Sequence, residues 1–196
     1  MKLELGPDVI LRLILHRRPF VMIDAVTAFE RTPRPSLRGS RLVTSNEPVF
    51  EGHFPGLHLW PGVYTIEGMG QATNVLFVIE GIVREYEKRG GSEADAIADL
   101  ENLERTFKLA PRSDAERAKN FLARLAEGPS RGGMAAAVDV KLLKPVFAGQ
   151  RIDYHVTSTH VLESLARCEV SAEVSGELVA KGTISSALGV AIPRIA

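Results

Sequence analysis

The chain has one cysteine, Cys168, so it cannot close an internal disulfide. That suits a reducing compartment, where a lone cysteine serves as a small buried hydrophobe. The opening Met-Lys-Leu-Glu-Leu-Gly-Pro-Asp carries an acid and a Gly-Pro break where a secretory signal needs an apolar core, so the expected location is cytoplasmic. Net charge is missing too: 24 Lys and Arg offset 24 Asp and Glu. No global field draws nucleic acid or an anionic membrane, and an acidic partner must be met by a local patch. There is no Gly-x-Ser-x-Gly elbow, phosphate loop or dinucleotide fingerprint. His16, His53, His58, His155 and His160 have no cysteine or carboxylate cluster beside them, so no metal site is expected.

What is present reads as one domain over residues 1–196, with an insertion at about 80–132. Pro7-Asp8 opens a short helix whose face carries Val9, Ile10, Leu13 and Ile14, and His16-Arg17-Arg18-Pro19 ends it. Phe20 to Phe29 and Ser36 to Val43 read as strands, with loop chemistry at 45–48 and 52–56. Pro61 to Ile79 is the longest apolar stretch, and Glu67 is its only charge. Glu67, Gln71, Asn74 and three early glycines argue against a membrane span. A helix apolar on all sides must be wrapped by other structure, and a curved sheet does this.

Residues 80–132 turn highly charged, with both signs mixed. Ser92 to Asp95 and Ser113 to Glu116 look like capping boxes, each followed by apolar residues at helical spacing. A helical hairpin is expected there, stopped by Gly128-Pro129, with a strand over Leu100 to Leu109 as the alternative. After Met134 the period becomes two: Met134 to Leu143, Ile152 to His160, Ala166 to Val174 and Leu178 to Val190. The class is α+β, an antiparallel sheet around one buried helix.

The chemistry-bearing residues are His53, in a Gly-rich turn, and Glu67, fourteen positions later. His53 can act as a base near neutrality, although a turn histidine bonded to backbone is the plainer reading. Glu67 lies among apolar neighbours, which favours a neutral, proton-donating carboxyl. It could instead bond a backbone N–H or an arginine such as Arg17. Pro61 is expected at the first helical position, leaving the Gly62 and Val63 N–H groups without acceptors at the positive end of the helix dipole. Val63, Glu67 and Gln71 share a face, and Gln71 either orients Glu67 or packs as a buried amide.

Together, His16-Arg17-x-Pro19-Phe20, Asn46-Glu47-Pro48-x-Phe50-x-Gly52-His53-Phe54-Pro55-Gly56, Pro61-Gly62-Val63 and Glu67-x-x-x-Gln71-Ala72 resemble the FabZ-type 3-hydroxyacyl-[acyl-carrier-protein] dehydratases. Lys144-Pro145-Val146 with Gly149 resembles a later strand and turn of that family. The resemblance implies a hot-dog fold, a curved antiparallel sheet wrapped around a long central helix. It implies a homodimer, possibly a trimer of dimers, with His53 of one subunit facing Glu67 of the other. His53 and Glu67 would be catalytic, and Gly62, Val63 and Gln71 substrate-binding. The substrate would be a (3R)-3-hydroxyacyl thioester on the phosphopantetheine of an acyl carrier protein, or on CoA, dehydrated to a trans-2-enoyl thioester without metal or redox cofactor. Related dehydratase-isomerases carry Asp where this chain has Glu67, which favours plain dehydration.

Two features depart from the family: Leu57-His58 replaces a basic residue and proline, and about fifty residues separate the central helix from the next strand. Arg17, Arg18, Lys141 and Lys144 are candidates for docking an acidic carrier. A hot-dog acyl thioesterase and a non-catalytic carrier-binding or scaffold subunit are the alternatives.

Overall fold

Seven strands form one antiparallel sheet in the order β1 (Lys2–Leu5), β2 (Ala25–Glu30), β3 (Ser36–Leu42), β7 (Arg151–Leu162), β8 (Leu165–Val174), β9 (Glu177–Leu188) and β5 (Gly133–Leu142). The computed structural model describes residues 2–127, 133–162 and 165–188. The expected stop at Gly128-Pro129 and the end of the last strand at Val190 lie outside the described residues. A two-residue ladder pairs β4 (Leu59–Trp60) with β6 (Val146–Phe147). The helices are α1 (Pro7–Leu13), α2 (Gly62–Lys88), α3 (Glu93–Phe107) and α4 (Ala115–Glu127).

Period-two patterning fixes which face of the sheet is inside. Ile152, Tyr154 and Val156 on β7, and Ala166, Cys168, Val170, Ala172 and Val174 on β8, are all buried. Against that face lies α2, touching β3, β5, β7, β8 and β9. Met69, Ala72, Val75, Leu76, Ile79 and Val83 of α2 have no exposed surface. Truncating Leu76 to Ala would cost about 2–5 kcal/mol, since a sheet on one side and helices on the other leave little room to collapse.

The C-terminus of α2 is set by its sequence. Gly90 takes φ +82, and the Gly90 and Gly91 N–H groups donate to the Glu87 and Tyr86 carbonyls at 3.1 and 2.9 Å. This is a Schellman stop, which needs a residue without Cβ penalty just past the helix. The helix thus runs nine residues beyond Ile79, into what reads in sequence as the start of the insertion.

The hairpin forms as helices. Ser92 and Asp95 make the expected capping box. The strand alternative for 100–109 fails because Leu100 and Leu103 sit on the buried stripe of α3. At α4 the cap is Asp114, not Ser113: Asp114 Oδ1 accepts the Arg117 N–H at 2.9 Å. Asn102 accepts from the Asp114 N–H and donates to its carbonyl, both at 2.8 Å, and so clamps the hairpin turn. Asp99, almost fully buried, receives Tyr86 Oη, Arg117 Nε and Arg124 Nη2. The hairpin rests on α1, β1 and the C-terminal part of α2. Tyr86 lies about 28 Å along the helix from Glu67 at 1.5 Å per residue.

Two strand boundaries differ from expectation. Residues 20–24 are irregular, because the Met22 N–H donates to the Gln71 side chain and pairing begins only at Asp24, whose N–H reaches the Ser40 carbonyl at 2.8 Å. The short strand β1 is unforeseen in the sequence; Leu3 and Leu5 are buried against β2 and the insertion.

Candidate active site

His53 sits in a loop built by short-range backbone bonds. A 3-10 turn spans Pro48–Glu51, and the Gly52 and His53 N–H groups both reach the Val49 carbonyl. Phe54 and Leu57 exchange N–H···O bonds at 3.0 and 2.9 Å around Gly56, whose φ of +82 favours glycine. The β4–β6 ladder and the Ala148 N–H to His58 carbonyl bond fasten the loop to the sheet side of the molecule. His53 Nδ1 lies 3.0 Å from the Leu59 carbonyl oxygen. That carbonyl can only accept, so the proton belongs on Nδ1 and the Nε2 lone pair is free to act as a base.

Pro61 is the N-cap of α2, one position earlier than expected, since its ψ of 128 is extended. Gly62 and Val63 therefore begin the helix proper, and their N–H groups point out of its first turn. A Cβ on Gly62 would stand 2.3 Å from Leu142 Cδ1, so β5 approaches the helix start closely. Val63 is 64% exposed.

Glu67 lies one turn further on. Its Oε1 accepts from Gln71 Nε2 at 2.9 Å and lies 3.4 Å from His16 Nε2. Gln71 is fully buried and satisfied: Nε2 also donates to the Phe20 carbonyl at 2.7 Å, and Oε1 accepts from Met22 N–H at 2.8 Å. It both orients Glu67 and packs as a buried amide. Arg17 is not the partner of Glu67; its Nη1 donates to the carbonyls of Ile14 and His16. The Glu67 side chain is 30% exposed, not desolvated as its apolar neighbours suggest. Among the described residues, no hydrogen bond or ion pair joins His53 to Glu67 within the chain.

A second layer holds this end of the molecule. Arg41 Nη1 and Nη2 pair with Asp24 at 2.6 Å and Glu47 at 2.5 Å, and its guanidinium lies over the Trp60 ring at 5.8 Å. His58 stacks on Phe50 at 5.0 Å, and His155 Nε2 is 3.9 Å from Glu173. Among the described residues no group of three or more His, Cys, Asp or Glu could hold a metal ion. Lys144 pairs with Glu177, while Lys141 lines the outer face of the sheet with Lys181 and Arg167. Cys168 is buried, and burial pushes its thiol up to about 12. His16 and Arg41 are the site residues that single-residue reading passes over. Their signal lay in the His-Arg-x-Pro-Phe motif and in the strand before the Asn46-Glu47-Pro48 loop.

The sheet-wrapped helix is the hot-dog fold. The dehydratase heterocomplex ApeI:P from Xenorhabdus doucetiae superposes with a TM-score of 0.55 at 15% identity, over 91% of this chain and 90% of that one. Within that fold class, part of the chain is similar to FabZ-type dehydratases. Residues 14–100 match the family model of the FabA-like domain. The 3-hydroxyacyl-[acyl-carrier-protein] dehydratase FabZ of Neisseria meningitidis is 48% identical over 77 residues, 39% of this chain and 50% of that protein. The FabZ of Aeromonas hydrophila is 45% identical over 76 residues, 38% of this chain and 50% of that protein. The chain thus spans about half the length of the curated relatives it matches.

Proposed function

We propose that the protein dehydrates (3R)-3-hydroxyacyl thioesters, carried on acyl carrier protein, to trans-2-enoyl thioesters. The observation that carries this reading is the match to FabZ relatives at 45–48% identity, on a chain whose FabA-like domain holds His53, Gly62 and Glu67. His53 Nε2 removes the α-proton. The Gly62 N–H, with that of Val63, receives the thioester oxygen as negative charge develops on it. Glu67 protonates the departing β-hydroxyl, which leaves as water. The α C–H and β C–O bonds break, a C=C bond forms, and no electrons are gained or lost, so no redox cofactor is called for.

No hydrogen bond or ion pair joins His53 to Glu67 among the described residues, and the reading completes the site with a second copy. Among the described residues β5 is an edge strand, with Met134, Val138 and Leu142 exposed, and this supports a homodimer, since an apolar edge strand invites a partner. The reading places the protein in the cytoplasm, and among the described residues no helix is long and apolar enough to cross a membrane.

The test is hydration of a crotonyl thioester measured beside thioester hydrolysis. Hydration with the thioester intact is the expected result. Release of free thiol without hydration would make the protein a thioesterase. Neither activity at any chain length would leave the carrier-binding or scaffold role.

A further inference from the structure

We infer that His16 is a positioning residue for Glu67, holding one carboxylate oxygen so that the other faces the substrate; the inference rests on the dehydratase reading. Four residues close a ring of contacts. His16 Nε2 stands 3.4 Å from Glu67 Oε1, Gln71 Nε2 donates to the same oxygen at 2.9 Å, and Gln71 also donates to the Phe20 carbonyl at 2.7 Å. The ring closes where the Phe20 ring stacks on the His16 ring, centroids 6.3 Å apart and planes inclined by 28°. Both nitrogen contacts converge on Oε1, which leaves Oε2 as the oxygen available for chemistry.

The tautomer of His16 follows from its surroundings. Nδ1 is buried and has no hydrogen-bond partner. A single proton on Nδ1 would leave that N–H unsatisfied and aim a bare Nε2 lone pair at a carboxylate. The same proton on Nε2 faces a carboxyl oxygen 3.4 Å away and leaves only a lone pair buried, the cheaper arrangement. The backbone beneath is fixed as well, because Arg17 Nη1 donates to the Ile14 and His16 carbonyls at 2.9 and 2.8 Å. His16 does not touch the reacting atoms; it acts through Glu67. At 3.4 Å the two atoms are within ion-pair distance but not hydrogen-bonded, and apo active-site contacts often tighten only when substrate binds.

The amide nitrogen of Gln reaches the place of Nε2 and that of Asn the place of Nδ1, so the two conservative variants separate the nitrogens. His16→Gln should keep kcat within about threefold, whereas His16→Asn and His16→Leu should lose about 10- to 100-fold in kcat with KM within about threefold. Adding His16→Leu to Glu67→Gln should cost nothing further, since the lever has lost its load. Equal activity in the Asn and Gln variants, or additive losses in the double variant, would overturn the inference. A wild type inactive on crotonyl thioester overturns the dehydratase reading instead. The contact itself is then read without turnover, from side-chain ¹⁵N resonances of histidine-labelled protein. They should show the Nε2–H tautomer at His16, and Glu67→Gln should shift His16 while leaving His155 and His160 unmoved. An Nδ1–H tautomer, or no response to Glu67→Gln, would refute the positioning role even if every His16 variant failed to fold.

Discussion

Glu104, in the first helix of the insertion, accepts the backbone N–H of Gly6 at 2.8 Å across 98 residues of sequence. Its side chain is almost fully buried and also pairs with Lys108 at 2.5 Å. Gly6 is the residue from which α1 springs, and Phe107, one turn along α3, lies 5.7 Å beneath the Arg12 guanidinium. The insertion therefore grips α1, and α1 leads directly into the His16–Phe20 segment that surrounds Glu67. It packs on the far end of α2 from Gly62, so it is neither a cover over His53 nor detached from the site.

Glu104→Ala leaves the Gly6 N–H unsatisfied and opens a small void. A loss of about 1–3 kcal/mol is expected, read as a fall in urea midpoint at constant m-value. A midpoint equal to that of wild type would show that the grip contributes nothing.

His53→Ala and Glu67→Gln should each lower kcat by about a thousandfold on a 3-hydroxyacyl thioester, the range for loss of a general base or acid. Thermal midpoints should stay close to wild type, because both side chains are partly exposed. Full turnover in either variant removes that residue from the mechanism.

Mixing the two inactive variants tests the shared site. Unfolding and refolding them together in equal amounts makes about half the dimers mixed, and each mixed dimer has one intact site. About a quarter of wild-type activity should return. No recovery would mean that His53 and Glu67 act within one chain or apart.

Tyr154→Phe should leave stability unchanged or slightly raised. The Tyr154 hydroxyl is buried without a partner, wedged where a Cβ on Gly68 would stand 2.1 Å from it. Removing an unsatisfied buried group leaves nothing behind to compensate. Gly68→Ala, by contrast, should destabilise by about 1–3 kcal/mol, since neither Tyr154 nor the Met22 carbonyl at 2.9 Å has room to withdraw. A destabilised Tyr154→Phe, measured by denaturant midpoint, would reveal a hydrogen bond this arrangement lacks.

Alkaline pH should weaken the fold through Cys168. Burial raises its thiol from 9.0 to about 12. The folded state therefore holds the proton where the unfolded chain releases it. This contribution is complete below the unfolded value and declines as pH rises through the folded one. Cys168→Ala should show a shallower fall in urea midpoint between about pH 9 and pH 11. Parallel curves for the two proteins would rule the thiol out as a cause.

Much of this was legible in the chain. The period-two runs on β7 and β8, the apolar helix from Gly62 and the Ser92–Asp95 box all report local preferences that packing only reinforced. Errors came where a local signal met a distant partner. Residues 20–24 look like a strand, yet the Phe20 carbonyl and the Met22 N–H are claimed by Gln71. Pro61 looks like a first helical residue, yet its ψ keeps it outside the helix.

The sequence by itself determined most of the elements and the face each one buries, and offered His53, Gly62 and Glu67 as chemical candidates, because these follow from residue type and spacing. Only the tertiary structure decided that Gln71 and His16 converge on one oxygen of Glu67 and that the insertion grips α1. The contact from His16 to Glu67 and the bond from Gly6 to Glu104, 98 positions apart, join distant parts of the chain, and no local rule of sequence spans such a distance; they exist only once the sheet has closed around the helix.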